Sequence, residues 1–259
     1  MMDGGDALVI PYNKLNGHWD SNDEIASRHD LTSFLDYIQS LEGCNRKAAQ
    51  QMIDENWLFN STIPTGYGLG SSGALTAAAY DLLFEKENNV GQLQKSLAAI
   101  ESHFHGSSSG LDPLSSYLKK PLHSSDGKIL ELGDFAIPHN LYIYDSGITR
   151  ESKPLIKWYK SQLETNSTFQ AGIKELSLAN QKIINDVISS REYSKTFREI
   201  SVLQLQHFSR MIPATIRTIW ESGLQDDRFY FKLSGAGGGG FFLVYTDNPD
   251  CIKGLQKFS

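Results

Sequence analysis

A glycine-rich loop runs directly into a helix between residues 63 and 84, where the sequence reads IPTGYGLGSSGALTAAAYDLLF. Alanines and leucines with helical spacing follow the glycines at once. The first N–H groups of a helix lack partners within it, and the helix dipole makes that end positive. Glycines in front of such an end let the backbone approach an anion closely. The junction therefore predicts an anion site, with a serine-capped turn as the alternative.

The serine hydroxyls of this loop could contact either the oxygens of a phosphate or a hard metal ion. The helix is predicted to begin near Ser71. No lysine precedes the serines, which excludes the Walker pattern, and no acidic residue ends a second strand at the distance that a dinucleotide-binding fold needs. The candidate phosphate ligands are Gly66, Gly68, Leu69, Gly70, Ser71, Ser72 and Gly73.

A second motif, ESHFHGSSSGLD, spans residues 101–112. Glu101 and His105 lie four residues apart on one helical face, which Leu97 shares. A carboxylate beside an apolar stripe needs a partner, and Mg2+ bound through oxygen ligands and water would provide one. Asp112 follows a loop of serines. The alternative is an exposed Glu–His pair and an aspartate that caps the helix PLSSYL. His103 and His123 are predicted to be structural.

The third motif, KLSGAGGGGFFLVY, places a glycine run between two apolar strands. The run is longer than a hairpin turn requires. Its consecutive N–H groups predict an anion-binding nest formed by Gly235, Ala236, Gly237 and Gly238. A wide β-turn with close backbone packing is the alternative.

Composition narrows the classes of partner that the chain can have. The 259 residues carry a formal net charge of −6, which disfavours nucleic acid and anionic membrane surfaces as partners. The two cysteines, Cys44 and Cys251, lie in no metal-binding or disulfide pattern. Neither a signal peptide nor a membrane span is apparent. We therefore expect a cytoplasmic protein.

Hydrophobic periodicity predicts an α+β fold in two lobes. The first lobe shows strands in DALVIPY and WLFNSTIP, a helix in DLTSFLDYIQSLEG closed by Gly43, and a helix stopped by Gly106. After the strand NLYIYDSG, helical patterns run from Ser152 to Gly223, with Pro213 at the first turn of the last helix. A strand, a glycine turn and a strand follow, and CIKGLQKFS reads as the start of a helix. The seam lies near residues 138 to 150, which gives domains 1–138 and 139–259.

Taken in order, the three motifs resemble those of the GHMP kinase superfamily, most closely its mevalonate kinases, over residues 3 to 246. The first resembles the P-x-x-x-G-L-G-S-S-A loop of the family, with Gly73 where alanine is usual. The third resembles K-x-T-G-A-G-G-G-G, with Ser234 in place of threonine. The middle motif, with its glutamate, His-Gly and Ser-Gly-x-Asp, is similar to the mevalonate kinase form rather than the galactokinase form.

The resemblance implies a two-lobed kinase with a ribosomal-protein-like N-terminal lobe, a ferredoxin-like C-terminal lobe and the site between them. Gly68 to Ser72 would cradle the phosphates of ATP, and Ser72 and Glu101 would hold Mg2+. Asp112 would accept the proton of the substrate hydroxyl or orient it. Gly235 to Gly238 would close the site around the phosphates.

The substrate that the resemblance implies is a small alcohol, mevalonate, with no nucleic acid or membrane partner and with a homodimer left open. Another sugar or small-alcohol kinase, a phosphomevalonate kinase and a diphosphomevalonate decarboxylase are alternatives within the superfamily. Arg150 and Lys153 are candidates for contact with the carboxylate of mevalonate. A non-catalytic nucleotide-binding protein is the alternative from another class.

The chain departs from the family at both ends. The family begins with a lysine and a Gly-Glu pair that are absent here, and the role of that lysine does not transfer to Lys14. We therefore expect a fragment that turns over slowly or not at all, and an upstream extension that restores activity. The C-terminus shows no strand that would complete a ferredoxin-like lobe.

Overall fold

A computed structural model describes most of the chain, namely residues 7–9, 28–55, 57, 59, 63, 68–133, 135–149 and 152–257. Within these ranges, helices make up most of the structure and the strands form two separate antiparallel sheets. The predicted α+β class is confirmed. None of the described helices is long and apolar enough to cross a membrane.

The first part of the chain packs helices around α4. Its helices are α1 (Arg28–Gln39), α2 (Arg46–Asp54), α3 (Ser71–Leu83), α4 (Val90–His105) and α5 (Leu111–Leu118). Its strands are β1 (Ala7–Val9), β2 (Leu122–Ser125) and β3 (Lys128–Glu131), paired in that order. Leu97 and Ile100 of α4 are fully buried in the core cluster that these elements share. This burial fixes the register of α4 and hence the position of its last turn.

Local signals account for several boundaries in this part. The helix α4 ends at Gly106, whose φ of 74° closes it as predicted. The helix α1 ends at Gln39, before the predicted stop at Gly43. Sequence reasoning missed α2, which the Asn45 side chain caps by accepting from the Ala48 N–H at 3.1 Å. It also missed the β2–β3 hairpin, although Asp126–Gly127 is a strong hairpin signal. The strand predicted in WLFNSTIP lies largely outside the described residues.

The second part builds one four-stranded sheet with helices packed against it. Its strands are β4 (Leu141–Asp145), β5 (Tyr230–Leu233), β6 (Phe241–Tyr245) and β7 (Leu255–Lys257), and its helices are α6 (Ser152–Thr165), α7 (Ser167–Ile188), α8 (Ser194–His207) and α9 (Ala214–Gln225). The strands stand in the order β5-β6-β4-β7. Short 3-10 turns cover Ser209–Met211 and Pro249–Cys251. The predicted strand, glycine turn and strand correspond to β5, the glycine run and β6.

The prediction for the C-terminus was wrong. The segment CIKGLQKFS does not begin a helix: β7 pairs antiparallel with β4, with Tyr144 opposite Leu255. Gly254 turns the chain at a φ of 87°, and Leu255 then packs against the core of the second part. Ile252 and Leu255 are three residues apart, which is also the spacing of apolar residues on a helical face. Both side chains instead pack against the core beneath the sheet. The strand β7 is therefore the last strand of a ferredoxin-like β-α-β-β-α-β order, in which several helices fill the first crossover and the 3-10 turn Pro249–Cys251 takes the place of the second helix.

The apolar cores follow the same division of the chain. Members of the first cluster fall between Phe34 and Ile129, and members of the other two fall between Leu141 and Leu255. Pro213 precedes α9 as its N-cap, one residue earlier than predicted. The domain boundary between residues 138 and 139 stays a prediction.

Candidate active site

The helix α3 begins without the side-chain cap that α2, α4 and α7 have. Asparagine side chains cap α2, α4 and α7, whereas the N-cap of α3 is Gly70, at a φ of 75°. The bonding of the helix itself starts with the Ala74 N–H, which donates to the Gly70 carbonyl at 2.9 Å. The amides of Ser71 and Gly73 therefore stay at the open, positive end of the helix. The serine-capped turn considered above is not formed.

The loop in front of α3 has the backbone geometry that glycine allows. Gly68 and Gly70 both have positive φ, at 79° and 75°. These two residues and Leu69 are partly exposed, as are Ser71 and Ser72. The candidate Gly66 lies outside the described residues. The described part of the loop thus has an accessible backbone directly before the N-terminus of a helix, as an anion site requires.

Glu101, in the last turns of α4, is the buried carboxylate of this region. Its side chain is only 5% exposed. The Ser72 Oγ donates to Glu101 Oε1 at 3.1 Å, and the Ser108 Oγ donates to Oε2. Within the described part of the chain, no lysine, arginine or histidine forms an ion pair with it. The alternative of an exposed Glu–His pair is therefore wrong, because Glu101 is buried. The side chain of His105 is not among the described ones.

The oxygen atoms of Ser72 and Glu101 fit the first coordination shell of Mg2+. Ligands at 2.0–2.1 Å in adjacent octahedral positions stand about 2.9 Å apart. The Ser72 Oγ and Glu101 Oε1 are separated by 3.1 Å, so one ion can contact both after a small shift. The described residues contain no cluster of three or more His, Cys, Asp or Glu side chains. A metal ion here would therefore rely on a carboxylate, a hydroxyl, water and phosphate oxygens, which is a common magnesium arrangement.

Asp112 lies beside the first turn of α3. A Cβ atom built on Gly73 would stand 3.1 Å from the Asp112 Cβ and 3.0 Å from the Pro113 nitrogen. Asp112 is exposed in the first turn of α5, whose N-cap is Gly110, so the predicted capping alternative for Asp112 is wrong. The residue next to Ser72 therefore contacts the backbone that carries Asp112. The structure brings Ser72, Glu101 and Asp112 to one end of three packed helices.

The start of α5 is fixed on α4 by a close backbone approach. Gly110 is buried, at a φ of 72°, and a Cβ there would lie 2.4 Å from the Gln94 carbonyl oxygen. The Gln94 side chain also donates to the Ser109 carbonyl at 2.8 Å. No larger residue fits at Gly110 without moving one helix, so this glycine sets where Asp112 stands relative to Glu101.

The glycine run between β5 and β6 is anchored at two alternate amides. The Gly238 N–H donates to the Met211 carbonyl and the Gly240 N–H to the Ile148 carbonyl, both at 2.7 Å. The amides of Gly235, Ala236 and Gly237 donate to no backbone carbonyl of the described residues. Positive φ values at Gly235, Gly237 and Gly238 shape this stretch. Three of the four amides of the predicted nest remain, whereas the prediction for Gly238 is wrong as an amide donor because its N–H is bound to Met211. The anchors of the run lie in the second part of the chain, so its closure over the first site stays a prediction.

Two side chains escaped sequence reasoning. Ser108 contacts Glu101, and the only signal was the run of three serines at residues 107–109. Lys232, on β5 before the glycine run, has its pKa lowered by burial, and its Nζ makes a long 3.4 Å contact with the Leu233 carbonyl. Of the predicted structural histidines, His103 packs against aromatic rings, as expected. Arg150 lies outside the described residues.

Comparison with known proteins gives a family match for one part of the chain and a fold for most of it. Residues 37–120 match the GHMP kinases N-terminal domain. No protein of curated function matches the chain significantly by sequence. Among solved structures, L. major mevalonate kinase with R-mevalonate shares 16% identity over 70% of this chain, with a TM-score of 0.51. The chain spans 58% of that enzyme's length.

Two further structures show the same likeness. Methanococcus jannaschii mevalonate kinase is 18% identical over 83% of this chain and 73% of its own, with a TM-score of 0.54. Streptococcus pneumoniae phosphomevalonate kinase, solved with phosphomevalonate and AMPPNP, is 14% identical over 98% of this chain and 88% of its own, with a TM-score of 0.56. Residues 37–120 therefore match the GHMP kinases N-terminal domain, and the chain has the fold of these mevalonate and phosphomevalonate kinases.

Proposed function

We propose that this chain is an ATP-dependent small-molecule kinase that phosphorylates the primary hydroxyl of mevalonate. The observation that carries the proposal is the meeting of three helix ends, where Ser72 bonds to Glu101 and the backbone of Asp112 contacts Gly73. Phosphoryl transfer needs positioned phosphates, neutralised charge and a group that handles the acceptor proton. Each part has a candidate at this point.

The nucleotide phosphates would lie against the open end of α3. The uncapped amides of Ser71 and Gly73 and the glycines at 68 and 70 would hold anionic oxygens there. Ser72 and Glu101 would hold Mg2+, which when bound supplies positive charge to the phosphate oxygens. The amides of Gly235, Ala236 and Gly237 would add donors if the second part closes over the phosphates.

Asp112 would take the proton of the acceptor hydroxyl or orient that hydroxyl. Its carboxylate is exposed, so a substrate can reach it. It lies in the first turn of α5, beside the first turn of α3. The packing of Gly73 on Asp112 sets the distance between the acceptor and the phosphates held by α3. In this arrangement the chain acts mainly by positioning.

Phosphomevalonate is the second candidate acceptor. The S. pneumoniae enzyme, whose fold matches over 98% of this chain, was solved with phosphomevalonate. Both acceptors carry a carboxylate, for which Lys153 on α6 and Arg150 are the proposed contacts. A cytoplasmic location and a homodimer are proposed with the kinase. Binding of Mg-ATP without turnover of any acceptor, even in a version extended upstream, would instead favour the non-catalytic nucleotide-binding protein.

Substitution of Asp112 by asparagine tests the proposal. We expect Asp112→Asn to lower kcat by a factor of about 100 to 10,000, because a positioned general base contributes that much. Nucleotide affinity should change little, since Asp112 does not hold the phosphates. The measurements are a coupled ADP-release assay with mevalonate, phosphomevalonate and a sugar, and calorimetric titration with AMPPNP.

Asp81→Asn is the matched control, because Asp81 is an exposed aspartate near the other end of α3. It should leave both kcat and nucleotide affinity unchanged. The rates are compared in a version that turns over, extended upstream if this chain does not, and there a rate for Asp112→Asn equal to that of wild type would remove Asp112 from the mechanism. Failure of the wild-type chain to bind AMPPNP at all would overturn the kinase proposal.

A further inference from the structure

The Ser108 hydroxyl joins the buried carboxylate to the beginning of the next helix. It donates its one proton to Glu101 Oε2, and it accepts the Gly110 N–H at 2.9 Å. Gly110 is the N-cap of α5, the helix that carries Asp112. One side chain thus contacts both the proposed metal-binding residue and the start of the element that positions the proposed base.

The backbone around Ser108 leaves it little freedom to leave this position. The Ser109 carbonyl accepts from the Gln94 side chain at 2.8 Å, and Gly110 packs against the Gln94 carbonyl. The loop is therefore tied to α4 on the C-terminal side of Ser108. A hydroxyl held in this way fixes the orientation of the carboxylate that it contacts, because its donor direction is set by the backbone behind it.

The two Glu101 oxygens have different neighbours. Oε1 receives the Ser72 hydroxyl, at the end of α3, and Oε2 receives the Ser108 hydroxyl. A metal ion held by Ser72 and Oε1 has to displace the Ser72 proton from Oε1. The Ser108 bond is on the other oxygen, so it can persist while the first bond is exchanged.

We infer that Ser108 is a positioning residue, which holds Glu101 Oε2 so that Oε1 faces Ser72 and the divalent cation. This inference rests on the proposed function, since it assigns a role at the same site. Groups that orient a metal ligand commonly change metal affinity or activity by a factor of 10 to 100 when they are removed. Ser108 would therefore control cation affinity without touching the cation.

The test compares Ser108→Ala with Ser107→Ala, a change at the exposed serine next to it in the same loop. Binding of Mn2+ to the protein saturated with AMPPNP is measured by electron paramagnetic resonance. We expect Ser108→Ala to bind Mn2+ about tenfold more weakly, and Ser107→Ala to bind it as wild type does. Ser108→Thr keeps the hydroxyl and should restore the affinity to within about threefold of wild type.

Steady-state kinetics distinguish a positioning role of Ser108 from a general loss of structure. Ser108→Ala should raise the Mg2+ concentration at half-maximal rate while leaving the KM for the acceptor within about twofold, because the acceptor site is not altered. Thermal unfolding without cation checks the fold. If Ser108→Ala does not fold, Ser108→Cys retains a weak donor and should weaken Mn2+ binding in the same direction by a smaller factor.

Glu101→Gln distinguishes the failure of this inference from the failure of the proposed function. If Glu101→Gln loses Mn2+ affinity and Ser108→Ala, or Ser108→Cys in its place, binds Mn2+ as wild type does, the role of Ser108 is overturned and the metal site stands. If Glu101→Gln itself binds Mn2+ as wild type does, the metal site of the proposed function is overturned. Equal weakening by Ser107→Ala and Ser108→Ala would also overturn the inference, since the loss would then come from the loop in general.

Discussion

Gly73 lies where α3 meets α5, and it shows how one missing methyl group can set the position of a catalytic candidate. A Cβ at this residue would stand 3.0 to 3.1 Å from atoms of Asp112 and Pro113. Contacts of that length are tighter than ordinary van der Waals packing, so the neighbour would have to move. The GHMP pattern has alanine at this place, and glycine here allows the two helices to approach more closely.

We predict that Gly73→Ala moves Asp112 by a few tenths of an ångström and lowers kcat several-fold. Alanine favours a helix by up to about 1 kcal/mol over glycine, so stability should change little or rise as activity falls. Gly91→Ala is the matched control, because Gly91 lies in the first turn of α4 and its Cβ would meet nothing closer than 3.4 Å. Urea unfolding and the coupled assay give the two quantities. Unchanged kcat in Gly73→Ala would show that the close approach is not needed.

At the scale of elements, the glycine run is a loop whose shape depends on contacts with distant segments. A Cβ at Gly237 would lie 2.5 Å from the Met211 carbonyl oxygen, and one at Gly239 would lie 2.3 Å from that of Ile148. The backbone of the loop is therefore pressed against a 3-10 turn on one side and the segment after β4 on the other. The close backbone packing of the predicted wide turn is therefore present from Gly237 to Gly240, and the anion nest stays a prediction.

Substitution of Gly237 by alanine should lower the free energy of unfolding by more than backbone strain alone would. Gly127, in the β2–β3 turn, has a similar φ, 71° against 68°, but a Cβ there would meet nothing within 4 Å. We expect Gly127→Ala to lower the free energy of unfolding by about 1 to 2 kcal/mol, the cost of left-handed backbone. Gly237→Ala should lower it by about 1 to 3 kcal/mol more, because of overpacking. Urea unfolding of both variants measures the difference, and equal losses would contradict the packing that we describe.

The sequence predicted those elements whose signals lie within a few neighbouring residues. Gly106 ends α4 through its own backbone conformation, and the glycine run separates β5 from β6 by composition alone. The strand β7 depends on pairing with β4, more than a hundred residues earlier, so a pattern of two apolar residues was misread as helical. The contact of Ser108 with Glu101 likewise depends on how a loop folds back on α4, which spacing cannot show.

At the scale of the whole molecule, the apolar residues divide into clusters on either side of residues 130 to 140. The first cluster draws on α1 to α5, and the other two draw on the second sheet and the helices packed against it. This division is what the predicted domains 1–138 and 139–259 would require, and the three sequence motifs span both of them. The predicted site residues Ser72, Glu101 and Asp112 all belong to the first part, and it was the family resemblance, not their spacing, that predicted a common site for them.

Matched core substitutions test whether the two parts unfold separately. Ile100 of α4 and Ile216 of α9 are both almost fully buried, at 0% and 2% exposure. Ile100→Ala and Ile216→Ala should each cost about 2 to 5 kcal/mol. Hydrogen exchange followed by mass spectrometry should then show faster exchange in α1 to α5 for the first variant only, and in the second sheet and its helices for the other. Faster exchange across the whole chain in both variants would mean one cooperative unit.

The tethering of the glycine run at Gly238 and Gly240 has a consequence for how a ligand could enter. Consecutive glycines suggest a flexible loop. In this loop, however, two backbone amides donate to the carbonyls of Met211 and Ile148. A strand of backbone fastened in this way cannot swing open by itself without giving up both bonds. Entry and release of a ligand at this loop would therefore require movement of the segments that carry Met211 and Ile148.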